Sequence, residues 1–192
     1  TMETLMGIAV GIGLSAACGF RIFVPLLVAN VAALGGYLNL SPEFAWLGTT
    51  YATLVFTTAT IAEITGYYIP WIDSLLDTIA TPAAVIAGTV ATASVVTDIS
   101  PFLKWTLAII AGGGIAGLIQ GSTVALRSKS SLVTAGTANP WIATMELFGA
   151  VVIAVLAIVV PILCLVLLGF FCLWIIRKTG SLIFRRNKTS AQ

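Results

Sequence analysis

Apolar residues fall into five long blocks along the chain, at about Leu5–Tyr37, Leu47–Ile69, Pro82–Ile99, Phe102–Leu126 and Trp141–Ile176. A helix needs about 20 apolar residues to cross roughly 30 Å of hydrocarbon, so the blocks predict an all-α, polytopic transmembrane helix bundle. The first and last blocks exceed one span yet barely hold two. Charge placement arbitrates. Arg177, Lys178, Arg185, Arg186 and Lys188 put the carboxyl end in the cytoplasm by the positive-inside rule, and Arg127 and Lys129 form the other basic loop. Placing both on one side makes the last block cross twice, turning near Val159–Pro161, while the first block is one broken or tilted helix. The expectation is about six spans with both termini cytoplasmic, in a single transmembrane domain over residues 1–177 followed by a basic tail over 178–192. A single Pro-kinked helix in the last block gives five spans instead.

Trp46, Trp71, Trp105, Trp141 and Trp174 fall at or near the span ends, where indole rings favour the headgroup level. Between the second and third spans, Ile72, Leu75, Leu76 and Ile79 share one helical face and Asp73 and Asp77 the other. That is the pattern of a short helix lying in the cytoplasmic interface.

Composition agrees with a bilayer setting. The chain is 59% apolar and 8% charged, where a soluble domain carries about 25% charged residues. So few polar side chains cannot cover a soluble globule, and the same figures exclude a disordered segment. A net charge of +2 leaves no basic surface for nucleic acid. Cys18, Cys164 and Cys172 sit in apolar runs without metal-ligand spacing, and histidine is absent, which removes His metal sites and Ser-His triads. With no phosphate loop, dinucleotide fingerprint or zinc motif, no cofactor and no metal is expected. Glu3 stands where a cleavable leader would be basic and the first block is too long for one, so that block is expected to stay in the protein.

Gly7, Gly11, Ser15 and Gly19 recur every four residues and Arg21 follows; Gly113, Gly117, Gly121 and Ala125 do the same and Arg127 follows. One offset relates all five pairs. Small residues at this spacing let helix backbones approach closely in lipid, so Gly7, Gly11, Gly19, Gly117 and Gly121 are the expected packing positions. Thr60-Ile61-Ala62-Glu63 also resembles Ala143-Thr144-Met145-Glu146, and Pro82 opens the third span as Pro161 opens the sixth. Three spans followed by three give a 3+3 inverted repeat, over about residues 5–99 and 102–177, an arrangement typical of transporters and channels. The topology nevertheless puts Glu63 and Glu146 in the same half, where strict inversion would separate them.

Arg21 lies between Gly19 and Pro25, residues that invite a break in the first helix. An ionisable group at membrane depth costs at least about 2.5–3.5 kcal/mol unless paired or hydrated, so Arg21 is expected to pair with Glu63 or with Glu146. Such a pair either fixes helix register or serves a pathway or binding site. Irregular backbone at depth is tolerated where it is buried in protein or lines a cavity, which favours the second role. Gly112-Gly113-Gly114 is the second break candidate, in the fourth helix, where freed carbonyls and amides suit an ion and the glycines equally suit tight packing. Asp73 and Asp77 suit a cation or acid-base work, although the solvated side of an interfacial helix is the stronger reading. Asp98 and Lys104 belong to a short outer loop. Thr57, Thr58 and Thr60 either bond to their own helix or line a polar path. No catalytic residue is assigned.

The segments Gly13-Leu14-Ser15-Ala16-Ala17-Cys18-Gly19-Phe20-Arg21, Glu63 through Ile69-Pro70-Trp71-Ile72-Asp73-Ser74-Leu75-Leu76-Asp77, and Asn139-Pro140 with Glu146 carry a resemblance. They resemble a bacterial integral-membrane family, the domain of unknown function 4126, over about Leu5 to Pro161. Many members of that family carry Asp-Lys where this chain has Tyr67-Tyr68, so no role of that charged pair carries over. The resemblance implies a multi-pass protein of the bacterial inner membrane and supplies no activity.

Three functions stay open. Inverted repeats, broken helices and intramembrane charges favour a small transporter or channel for an ion or small polar solute. It would be a homo-oligomer, because six short spans leave little room for a private pathway. Abundant glycine faces fit an accessory or scaffold subunit of a larger membrane complex. A membrane-embedded lipid-modifying enzyme using Asp73, Asp77 and Glu63 is weakest, since no nucleophile-base pair is present.

Overall fold

The structure, a computed structural model, describes residues 2–134 and 138–171 together with 173, 174 and 177. The side chains of Pro70, Trp71, Asp73 and Ser74 lie outside that description, so the expectation for Asp73 does too, as do Cys172 and the basic tail. Among the described residues every regular element is helical: α1 (Met2–Cys18), α2 (Phe23–Leu34), a 3-10 stretch (Pro42–Gly48), α3 (Thr50–Tyr67), α4 (Pro70–Val95), α5 (Pro101–Leu107), a π-helical stretch (Ala108–Gly113), α6 (Gly114–Thr134) and α7 (Asn139–Val159). A short apolar helix, α8 (Pro161–Phe171), follows. Among the described residues three helices are long and apolar enough to cross a membrane: Leu75–Val95 within α4, the run Pro101–Thr134, and α7. Large apolar side chains such as Phe102, Ile110, Phe148 and Phe170 lie exposed on the outside. Lipid accepts such a surface and water does not, so the molecule has the character of a membrane protein.

Small residues set the packing. α1 lies against α4, with Gly7 beside Val95, Gly11 beside Thr92, and the Ser15 hydroxyl donating to the Gly88 carbonyl at 2.5 Å. A Cβ on Gly7 would come within 2.6 Å of the Val95 carbonyl oxygen, so only glycine permits this approach. Rising residue numbers in α1 thus meet falling numbers in α4, and the two helices are antiparallel. The π-helical stretch and α6 meet α4 in the same sense: Gly112 beside Thr92, Gly113 beside Thr89 and Val85, Gly117 beside Val85. The two glycine ladders are therefore parallel to one another. This corrects the inverted-repeat expectation, because an upside-down second copy would run its ladder the opposite way.

The first block is not one broken helix but a helical hairpin. α1 starts beside Val95 and runs to Gly19, which packs against Ala116 and Ile119. α2 then returns, and Ser41 reaches the α1 starting level again, its amide donating to the Ser94 carbonyl at 2.7 Å. The turn is Gly19–Ile22. Asn30, fully buried, ties α2 to the start of α3: its Nδ2 donates to the carbonyls of Leu47 (2.6 Å) and Thr49 (3.1 Å), and its Oδ1 accepts from Thr53 at 2.7 Å. The last block also folds back, at Val160, near the expected turn. Cys164 Sγ lies 3.9 Å from the Ile153 carbonyl, whereas residues so far apart on one helix would be separated by roughly 16 Å. α8 then runs beside α1 in the same direction, with Cys164 near Gly13 and Phe171 lining the same apolar cavity as Phe20.

Two further expectations are corrected. The interfacial helix and the third span are one helix, α4, which continues through Pro82. The fourth helix is unbroken: α5, the π-helical stretch and α6 form one run of 34 residues. Gly112 and Gly113 are buried against α4 within the wide π turn, while Gly114 is exposed with open space around it. Gly121 likewise meets nothing within this chain.

Candidate functional site

The α1–α2 turn ends inside the bundle, and the ionisable groups gather around it. Chain reversal at Gly19–Ile22 leaves the first amides of α2 without intrahelical partners. Glu63, from α3, supplies them: Oε1 accepts from the Ile22 amide at 2.7 Å and Oε2 from the Phe23 amide at 3.0 Å. A carboxylate from another helix thus caps α2, where the helix dipole also favours negative charge.

Arg21 occupies the tip and is 1% exposed. Its Nη2 donates to the Ala143 carbonyl at 2.9 Å and stands 3.7 Å from Glu146 Oε2, so its ion-pair partner is Glu146 while Glu63 serves the backbone beside it. Nε and Nη1 have no hydrogen-bond partner. Arg127, from α6, is buried as well. It makes two hydrogen bonds to Glu146, from Nε to Oε1 at 3.1 Å and from Nη2 to Oε2, and its Nη1 donates to Asp77 Oδ1 at 3.1 Å. Both guanidinium carbons sit over Tyr67, at 3.9 Å for Arg21 and 4.1 Å for Arg127 from the ring centroid. Cation–π attraction of this kind is worth about 2 kcal/mol or more when desolvated.

The sequence-predicted residues divide clearly. Arg21, Glu63, Glu146 and Asp77 come together. Asp77 is not a solvated surface group, since it is paired to Arg127 and its side chain is 16% exposed. Arg127 is not a loop charge, because α6 carries it within the bundle and continues to Thr134. Gly112 and Gly113 lie further along the same run as packing positions, and Gly114 and Gly121 face outward. Of the threonines, Thr58 bonds back to the Leu54 carbonyl at 2.8 Å, Thr57 is exposed, and Thr60 Oγ1 is buried without a partner. Lys104 is buried and reaches Glu43 at 3.0 Å, at the other end of the bundle. Cys18 and Cys164 are free and buried. Among the described residues, no three Cys, Asp or Glu side chains converge as metal ligands would.

Tyr67 and Arg127 are the members that sequence reasoning did not place at the site. Tyr67 carries no charge to mark it. Arg127 did carry a signal, since the common offset that pairs the two ladders also pairs it with Arg21.

Asp77, Arg127 and Glu146 each lie seven residues from the nearer end of their helix, at Pro70, Thr134 and Asn139. At 1.5 Å per residue the cluster is roughly 10 Å inside that end of the bundle. One turn nearer the end, Trp141 is 74% exposed.

No curated protein and no solved structure matches the chain. A family model does match, over residues 8–180, and that span includes Arg21, Glu63, Asp77, Arg127 and Glu146. The chain therefore belongs to the family described as Domain of unknown function (DUF4126).

Proposed function

We propose that this is a multi-pass membrane protein in which the α1–α2 hairpin is re-entrant, and that the charge cluster at its tip is the binding site on a pathway for a small ion or polar solute. The observation that carries the reading is Arg21, 1% exposed at a helix break with two nitrogens unpartnered. Irregular backbone and buried donors without acceptors are costly at membrane depth, and they persist where they line a route or hold a ligand. In this arrangement α3, α4, the run Pro101–Thr134, α7 and the apolar segment that α8 opens, up to Ile176, cross, while the hairpin enters and leaves on one side. Lys129 and the carboxyl-terminal basic residues mark the cytoplasmic side. The amino end of α1 then lies on the opposite side, in place of the two cytoplasmic termini expected from charge alone.

The test is solute flux in proteoliposomes across a panel of inorganic ions and small polar solutes. Flux altered by Arg21→Ala or Glu63→Gln supports the reading. Absence of flux across the whole panel, from protein shown to be folded, overturns it. A second reading, that the chain packs as a subunit in an oligomer or larger complex, is favoured by the open outward face at Gly114 and Gly121.

A further inference from the structure

We propose that Arg21 is the receptor for an oxyanion, a phosphate or carboxylate group, which reaches it laterally between α3 and α7. The inference rests on the binding-site reading above and names its ligand class. Arginine carries five N–H donors and no acceptor. At Arg21 only Nη2 has a hydrogen-bond partner, the Ala143 carbonyl, while Nε and Nη1 have none and the guanidinium lies over the Tyr67 ring. The other members of the cluster are committed. Both Glu63 oxygens hold α2 amides, both Glu146 oxygens hold Arg127, and Asp77 holds Arg127. Arg21 has only a long ion pair, 3.7 Å to a Glu146 oxygen that Arg127 already holds, and two of its nitrogens are idle. A cation arriving here would find its carboxylates already engaged. An acceptor-only group would satisfy the idle donors, and an anionic one would also answer the charge. With Glu63 and Glu146 beside it, an anion is held only through the Arg21 nitrogens, so binding depends steeply on that residue.

The lateral route follows from the two residues next in chain to the Arg21 contacts. Tyr68 follows Tyr67, and Thr144 follows Ala143. They meet on the surface, Tyr68 Oη to Thr144 Oγ1 at 2.7 Å. The Thr144 proton goes to the Pro140 carbonyl at 2.8 Å, so Tyr68 is the donor. Both side chains are exposed, and this bond bridges α7 and the end of α3 at the residues next to the Arg21 contacts Tyr67 and Ala143. Exposed Trp141, one helical turn away on α7, sets the bridge near headgroup level, where lipid phosphates lie. A soluble phosphate offers the same chemistry.

The experiment uses the purified full chain in detergent, with binding followed by native mass spectrometry and association rates by tryptophan fluorescence. The probes are inorganic phosphate, dihexanoyl phosphatidic acid and uncharged dihexanoylglycerol. At least tenfold tighter binding of a phosphate probe than of the neutral analogue is expected, with at least a tenfold loss in Arg21→Gln. Binding of phosphatidic acid alone identifies a lipid source, and binding of inorganic phosphate identifies a soluble one. Should Arg21→Gln not fold, Arg21→Lys decides, a tenfold loss supporting the assignment and unchanged binding overturning it. Tyr68→Phe removes the bridge and leaves the cluster groups in place, so association several-fold faster supports the lateral route and an unchanged rate overturns it. No preference for either phosphate probe in folded wild-type chain overturns the proposal. Arg21-dependent cation flux without phosphate binding would sink this assignment and spare the pathway reading; phosphate binding without flux would do the reverse.

Discussion

Glu63 holds the hairpin tip through two charge-assisted hydrogen bonds to backbone amides that have no other partner in their own helix. Glu63→Gln keeps the shape, loses the charge and leaves one cap oxygen, so a loss of about 1–3 kcal/mol in stability is expected from thermal or denaturant unfolding in detergent. A second residue-scale prediction concerns Glu43 at the opposite end. Its carboxyl is held below the usual carboxylate range by a hydrogen bond from its own backbone, then by Lys104 and Ser41. A depressed folded-state value contributes stability that is present above the ordinary carboxylate pKa and lost as pH falls through the depressed one. An acid titration of Tm is expected to show a slightly smaller decline in Glu43→Gln than in wild type, the rest belonging to the other paired carboxylates. Single residues were unevenly legible. Arg21, Glu63 and Glu146 stand out because charge at membrane depth is rare. Asp77 was masked by the apolar face of Ile72, Leu75 and Ile79, which made the opposite face read as solvated.

At the scale of elements, glycine positions fall into two classes that substitution separates. A Cβ on Gly19 would approach the Ala116 carbonyl oxygen and the Ile119 side chain to 2.7 Å, and one on Gly7 would meet the Val95 carbonyl. Overpacking of this kind costs about 1–3 kcal/mol, so Gly7→Ala and Gly19→Ala are expected to lower Tm. Gly121 has open space, and alanine there improves helix propensity by up to about 1 kcal/mol. Gly121→Ala is expected to leave monomer stability unchanged or raised, and to lower assembly on size-exclusion chromatography if this face packs on another subunit. The small-residue ladders were readable because a spacing of four needs no tertiary context. The hairpin was not, because its turn, Gly19–Ile22, lacks the usual Asn, Asp or Ser and the amides of Ile22 and Phe23 take their partner from α3. The π-helical stretch is a related case: three glycines suggest a break, yet neighbouring Thr92, Thr89 and Val85 hold the helix together.

Over the whole molecule, the apolar blocks announced a helical membrane protein, and that much follows from composition alone. Direction did not, since parity depends on which short apolar helices pass through and which turn back. The arrangement proposed above places Asn39 and Lys129 on opposite sides of the membrane. In a chain freed of its native cysteines, Asn39→Cys is expected to react with an impermeant maleimide from outside intact cells, and Lys129→Cys only after permeabilisation. Labelling of both from one side would refute the re-entrant arrangement. The capped tip also bears on the order of assembly. α1 and α2 leave the ribosome before α3, α6 and α7, yet the groups that complete their turn belong to those later helices. Until those helices arrive, the hairpin would present a bare guanidinium and unsatisfied amides to lipid. The hairpin is thus made before the helices that hold it and settles only after them, so the bundle closes around a tip that had to wait for its partners.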